Sequence, residues 1–244
     1  MASPKERRAL KVLGFEMISP SVRSLTFGAV DGEPIGQIAG QWVNLFVSTP
    51  DGGEVRRSYS IASPPNEQHP ERFEVAVTLV ENGPASTALH AMQVGADLSM
   101  EGPWGVFTIE RRDPALPVLM VGTGTGVTPY RAMLEAELSR DPAGPKVVLI
   151  FGCRTPEDVL YGDEFRALAE RFTRFRYIPT LSRAPSDWNG ATGYVQTHVP
   201  EVLRELGAAH IYVCGLSKMV KEVRSLLKDD LGLDRKVIHT ERYD

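Results

Sequence analysis

Val118-Leu119-Met120-Val121-Gly122-Thr123-Gly124-Thr125-Gly126-Val127-Thr128-Pro129 is the stretch whose reading decides the fold. Four apolar residues make a strand. Alternating glycines make a loop whose backbone can approach a ligand closely. Pro129 suits the first turn of a helix. The free N–H groups and positive dipole end of such a helix favour a pyrophosphate. The spacing is Gly-x-Gly-x-Gly, and Val127 stands where the dinucleotide fingerprint has its third glycine. No Lys follows, so this is not a Walker loop. A tight strand-to-helix turn without a ligand would look the same locally. A place after the first strand of an α/β sheet favours a nucleotide.

Downstream, apolar strands alternate with helices. Strands are expected at 118–121, 147–151, 175–181, 210–214 and 236–239, and helices at 130–138, 163–171, 199–206 and 219–231. That order predicts a parallel, doubly wound sheet covered on both faces. Upstream the pattern changes to short strands at 22–27, 42–47, 58–62, 73–80 and 98–101, broken by turns such as Pro50-Asp51-Gly52-Gly53. This is the signature of an antiparallel barrel or sandwich. One helix is expected there at 86–92, with Ser86 as its cap. The change falls at Arg111-Arg112-Asp113-Pro114, so the domains are expected to be 1–112 and 113–244.

The 244 residues suffice for two modest domains with buried cores, and 42% hydrophobic with 24% charged residues is ordinary for a globular protein. A net charge of -4 argues against nucleic acid as a partner. The run Lys5-Glu6-Arg7-Arg8 reads as a solvated tail. No stretch is long and apolar enough to span a membrane, and the first residues lack a signal-peptide core, so a cytoplasmic enzyme is expected. Two cysteines, Cys153 and Cys214, cannot by themselves hold an iron–sulfur cluster or a tetrahedral zinc. The five histidines show no paired spacing, so no metal site is expected.

A second stretch, Arg57-Ser58-Tyr59-Ser60, lies on an expected strand of the β-rich half. Alternation puts Arg57 and Tyr59 on one face and the two serines on the other. An Arg fork can hold a diphosphate and a Tyr ring can stack on a flat heterocycle. An exposed Arg and a half-buried Tyr are also common on barrel strands. The order of features along residues 8–244 is more specific, and there the chain resembles the ferredoxin–NADP reductase superfamily. That resemblance implies a six-stranded antiparallel barrel that binds FAD, followed by a doubly wound nucleotide-binding domain.

On this resemblance Arg57 would hold the FAD pyrophosphate, Tyr59 would stack on the flavin, and Ser60 would hydrogen-bond near flavin N5, with Ser58 beside them. Gly83-Pro84-Ala85-Ser86-Thr87 matches the family's Gly-x-x-Ser at a helix start, which receives the pyrophosphate; Thr78 and Val80 just before it belong to the same set. Gly102-Pro103-Trp104-Gly105 matches the turn that closes the barrel. In the second domain Thr123, Gly124, Thr125, Thr128 and Pro129 would bind the nicotinamide dinucleotide. Cys214, Gly215 and Leu216, followed by Met219, match the family's Cys-Gly-x-x-x-Met, whose Cys lies beside the nicotinamide. Spacing alone would read that Cys as buried strand end, as it does Cys153. Glu241-Arg242-Tyr243 resembles the terminal Glu-x-Tyr, in which the ring covers the flavin and the Glu couples electron and proton movement; here Asp244 follows the Tyr. Ser182 and Arg183 resemble the pair that binds a 2′-phosphate. Tyr194, followed by Gln196, matches the adenine-stacking Tyr. Thr192 stands where plant-type members carry Lys. The expected cofactors are FAD and NADP, with NAD possible.

The implied activity is hydride transfer between NAD(P)H and FAD, and single-electron transfer between FAD and a ferredoxin or flavodoxin. Ser60, Cys214 and Glu241 carry the leading roles. Two alternatives are the NADH-dependent reductase component of an oxygenase system and a redox sensor that binds FAD and NAD(P)H without turnover.

Overall fold

In the first half, short strands rich in β-branched and aromatic residues pair antiparallel. They are β1 (Arg8–Ser19), β2 (Val22–Ala29), β3 (Trp42–Ser48), β4 (Glu54–Ser60), β5 (Arg72–Thr78) and β6 (Asp97–Trp104), in the order β4-β3-β6-β1-β2-β5. A bridge between Ile61 and Val75 joins the chain just past β4 to β5, linking the two ends of that order into a closed sheet. Leu10, Val12, Leu25, Phe27, Leu45, Val75 and Met100 fill its interior. This computed structural model describes residues 6–49 and 52–243, apart from the Arg111 side chain; Lys5, the Pro50-Asp51 pair and Asp244 lie outside the described residues.

β1 was not expected from the sequence, and its register explains why. A bulge between Val12 and Gly14 reverses the alternation. Leu10 and Val12 point inward, while Leu13, Phe15 and Met17 are exposed. The helix α1 spans Pro84–Ala91 and begins earlier than expected, with Gly83 as its N-cap. Ser86 lies inside it, where its Oγ accepts the Val80 N–H at 3.1 Å. Gly102-Pro103-Trp104, expected as a turn, belongs to the end of β6, with a cis bond before Pro103.

The second half is parallel. Strands β7 (Val118–Thr123), β8 (Val147–Cys153), β9 (Phe175–Leu181), β10 (Ala191–Thr192), β11 (His210–Leu216) and β12 (Ile238–Tyr243) run in the order β10-β9-β8-β7-β11-β12. Helices α2 (Thr128–Arg140), α3 (Gly162–Arg171), α4 (Val199–Leu206) and α5 (Ser217–Ser225) connect them. The residues of β7, β8 and β11 are nearly all buried, as strands covered on both faces require. Two elements end differently from expectation. After Ser225 the helix continues as a π turn, Leu226–Asp230. Lys236 belongs to a 3-10 turn, because the Asp234 side chain accepts its N–H at 2.9 Å, and the last strand starts at Ile238.

The chain order runs outward from β7 to β10, then returns to β11 on the other side of β7. That reversal is a topological switch point, the place where open α/β sheets bind ligands at the strands' carboxyl ends. The opposite ends of the strands carry a polar cluster. The Arg112, Arg140 and Arg174 guanidiniums converge on the buried carboxylate of Glu137. His210 Nε2 accepts the Asp113 N–H at 3.1 Å, so its Nδ1–H is the donor to His239 Nε2, 3.2 Å away. The chain divides into two compact units, one built on residues up to Thr108 together with Arg131–Ala136, the other on Ile109–Tyr130 and the residues from Glu137 onward.

Candidate functional site

In the first unit, β4 pairs with β3 so that Ser60 faces Trp42, Tyr59 faces Val43, Ser58 faces Asn44 and Arg57 faces Leu45. Ser58 Oγ donates to Asn44 Oδ1 at 2.8 Å. Ser60 is buried. Tyr59 is half-buried against the barrel core, and burial pushes its pKa up to about 12, with the neighbouring Arg57 charge opposing. Its phenol therefore keeps its proton at any ordinary pH. Arg57 is exposed.

The start of α1 offers backbone donors. Pro84 has no N–H, and the amides of Ala85 and Ser86 fall in the first turn, where a helix has no carbonyl of its own for them. Thr87 N–H already bonds Gly83 O at 3.0 Å. A Cβ on Gly83 would lie 2.7 Å from Ser86 Oγ, so the position has room only for glycine. Thr78 is exposed, and Leu79 and Val80 beside it expose 48% and 56% of their surface. Apolar side chains left open beside free helix amides suit a ligand with a flat apolar part and an anionic part, which is what FAD is.

In the second unit the loops after β7 and β11 press together at the switch point. A Cβ on Gly126 would lie 2.5 Å from Gly215 Cα, and a Cβ on Gly215 would lie 2.5 Å from Thr123 Oγ1. Gly215 also has φ +138, a conformation that favours glycine. Gly124 has φ +53 with nothing within 4 Å of its would-be Cβ, so the open space lies above it. Thr123 Oγ1 is buried without a partner, a donor that a ligand would satisfy. Thr125 O accepts from Thr128 Oγ1 at 2.5 Å, and Pro129 is in the first turn of α2. The cradle fits a dinucleotide pyrophosphate.

Cys214 pairs with Glu241, and Leu216 with Tyr243, in the parallel register of β11 and β12. Cys214 is fully buried. Burial, then the Glu241 charge, holds its thiol well above the ordinary range, while a hydrogen bond with the Tyr243 side chain opposes them. The structure thus brings Cys214, Glu241 and Tyr243 together. Ser60, the third expected catalytic residue, belongs to the other unit. Leu216 is 64% exposed at the end of β11.

The remaining residues lie at the ends of β8–β10. Ser182 is tied by N–H and Oγ to Cys153 O, at 3.0 and 3.3 Å, and Arg183 N–H bonds Arg154 O at 2.9 Å. The Arg183 side chain is exposed and has no carboxylate partner among the described residues. Tyr194 is 67% exposed. Gln196 Nε2 donates to Glu222 Oε2 at 2.7 Å. Sequence reasoning missed Tyr130, whose ring backs Gly122 and whose hydroxyl donates to Val121 O at 3.0 Å. The His210–His239 pair was also missed: neighbouring parallel strands join residues that are distant in the sequence. Among the described residues no three metal-ligating side chains converge, and no helix is long and apolar enough to cross a membrane.

A closed antiparallel sheet carrying one glycine-started helix, and a doubly wound sheet with a glycine cradle at its switch point, define a flavin- and dinucleotide-dependent oxidoreductase. Comparison with known proteins agrees. Residues 9–109 match the oxidoreductase FAD-binding domain family and residues 120–225 the oxidoreductase NAD-binding domain family. Ferredoxin–NADP reductase B of Sorangium cellulosum (strain So ce56) is 48% identical over 249 aligned positions, covering 100% of this chain and 99% of that one. The crystal structure of the Amycolatopsis cytochrome P450 reductase GcoB superposes with a TM-score of 0.85 at 27% identity, over 98% of this chain and 70% of that one. A ferredoxin NADP+ reductase from Neisseria gonorrhoeae, solved with bound FAD and NADP, shares the fold at a TM-score of 0.80 and 23% identity, over 97% and 98% of the two chains. The chain belongs to the ferredoxin–NADP reductase superfamily.

Proposed function

We propose that the chain is an NADPH-preferring reductase that exchanges single electrons with a small redox protein of the ferredoxin or flavodoxin type. The observation that carries this reading is the group at the switch point: a glycine cradle with an unsatisfied Thr123 hydroxyl, beside a thiol that pairs in register with a carboxylate and is hydrogen-bonded by a phenol. The relative that matches over the full length is a ferredoxin–NADP reductase, which supports the same choice of partner and cofactor.

FAD, when bound, accepts a hydride from the nicotinamide and gives up its electrons one at a time. The chain's own residues position and shield. Arg57 and the Ala85 and Ser86 amides hold the FAD diphosphate, with Gly83 and Thr87 shaping that turn. Tyr59 offers a neutral ring to the flavin, Thr78 and Val80 line its edge, and Ser60 supplies a buried hydroxyl near its reacting nitrogen. Thr123–Pro129 take the dinucleotide diphosphate. Gly215 and Leu216 line the nicotinamide position beside Cys214. Tyr194 and Gln196 bracket the adenine, and Ser182 and Arg183 bind the 2′-phosphate. Glu241 handles a proton beside the nicotinamide position, and Tyr243 stands next to it.

Thr192 is exposed and brings no positive charge, which leaves NADP preference to Arg183 and keeps an NADH-dependent oxygenase reductase as the second reading. Steady-state dye reduction by NADPH against NADH, on the yellow full-length protein, separates the two. A clear NADPH preference supports the first. Equal or better turnover with NADH sinks it, and flavin binding without turnover leaves a sensor.

A further inference from the structure

Arg23 is the only charged side chain of β2, and it is 4% exposed. Its guanidinium donates to the carbonyls of Leu89 at 3.2 Å, His90, and Met92 at 2.8 Å. These belong to the C-terminal end of α1, where a helix leaves its carbonyls without internal partners. The partly exposed Phe15 ring lies over the guanidinium, 3.8 Å from it. A buried cation of this kind is tolerated only when its donors are used. Here they are spent on the negative end of one short helix.

α1 needs such a hold. Eight residues are too few for a helix to persist by itself in water. Its first turn has no acidic residue, and Gly83 offers no side-chain cap. It is fixed at the start by Ser86 Oγ, which accepts the Val80 N–H, and at the end by His90 Nε2, which donates to Val77 O at 2.8 Å. Leu89 anchors it in the core. Arg23 adds three bonds at the end remote from the free amides. A helix of this length is a rod of roughly 12 Å, so freedom at one end becomes misplacement at the other.

We infer that Arg23 is a positioning residue for FAD: it clamps α1 from behind, so that the Ala85 and Ser86 amides are held toward the flavin's diphosphate. This rests on the assignment of that diphosphate to the start of α1. The clamp acts on the diphosphate alone. Riboflavin, which lacks it, is held by the β4 residues and does not depend on Arg23.

The test compares full-length wild-type holoprotein with Arg23→Lys, Arg23→Met and Phe15→Leu. FAD release is followed by recovery of flavin fluorescence, and displacement by excess riboflavin gives the second affinity. A Lys ammonium cannot reach three carbonyls as the guanidinium fork does, so Arg23→Lys is expected to bind FAD roughly tenfold more weakly with riboflavin affinity unchanged. Arg23→Met loses more. Phe15→Leu changes an exposed ring, keeps the fold, and shifts FAD in the same direction by about two- to threefold; it and Arg23→Lys decide the matter where Arg23→Met fails to fold. Unchanged FAD affinity in Arg23→Lys, or riboflavin affinity falling in step with FAD, overturns the inference. Wild-type protein that does not retain FAD overturns the functional reading beneath it.

Discussion

Replacing Gly126 by Ala adds one methyl where the switch point has no room. The new Cβ lies 2.5 Å from Gly215 Cα and closer still to the Cys214 carbonyl oxygen. Carbon contacts sit at roughly 3.5–4.0 Å, so a gap of about 1 Å must open. Both neighbours are backbone of β11, whose Cys214 is locked in register with Gly122 on one side and Glu241 on the other. Overpacking of this kind costs about 1–3 kcal/mol, or roughly 2–12 °C in the melting of a domain of this size. The same displacement moves Thr123 and the cradle, so NADP+ binding weakens together with the melt. Gly124→Asn is the control. Its φ of +53 suits Asn, and nothing lies within 4 Å, so the melt stays within about 1 kcal/mol of wild type. Its side chain fills the space a pyrophosphate needs, so binding alone is lost. Scanning calorimetry and titration with NADP+ give both quantities. A Gly126→Ala protein that melts with the wild type refutes the close approach of the two loops; a Gly124→Asn protein that binds normally refutes the placement of the ligand.

Arg183→Gln is expected to raise the KM for NADPH about 10–100-fold, the worth of a charged hydrogen bond, and to leave NADH kinetics alone; equal effects on both would remove Arg183 from the 2′-phosphate. Ser60→Ala retains FAD but slows flavin reduction by NADPH in stopped flow, and an unchanged rate would show that its hydroxyl has no part in the reaction. Glu137→Leu leaves the buried Arg112 and Arg174 without their carboxylate, at a cost of about 3–5 kcal/mol in a urea melt; a loss under ~1 kcal/mol would count against the cluster. Burial holds the His210 and His239 imidazoles below the ordinary value of 6.5. The unfolded chain therefore takes up protons first as pH falls, so stability is full above that pH and declines below it. His210→Asn should flatten this slope between pH 7 and 5, as read by melting temperature.

The glycine loop could be read from sequence because each part is local: an apolar run, residues that permit φ above zero, and a helix start. β9 and α4 fall at 175–181 and 199–206 for the same reason. What was hidden depends on pairing. β1 keeps its alternation only if the bulge after Val12 is known, and that bulge is set by its register with β2. Ser86 looked like a cap because Ser favours caps. Gly83 takes that place since a side chain there would strike Ser86 Oγ and Val80. Alternation along β2 puts Arg23 on the face of Leu25 and Phe27, but nothing local says that its guanidinium ends on the carbonyls of α1. The histidines looked scattered because the register of β12 with β11 lies outside any short window.

Register also decides the chemistry of Cys214. Parallel pairing puts Gly122, Cys214 and Glu241 side by side across β7, β11 and β12, and paired residues in a sheet face the same side. Gly122 contributes no side chain there. Cys214 contributes a small one that is fully buried beside a carboxylate, and both facts raise its pKa. The reactive form of a cysteine is the thiolate, and this environment suppresses it. Cys214 is therefore a neutral, buried thiol, ill suited to covalent attack. Beside the thiol stand the Glu241 carboxylate and the Tyr243 phenol that bonds it, while the Tyr130 phenol is buried and donates to Val121 O. On the proposed function Glu241 is the group that handles the proton, so its loss should alter a pH–rate profile and the loss of Cys214 should not.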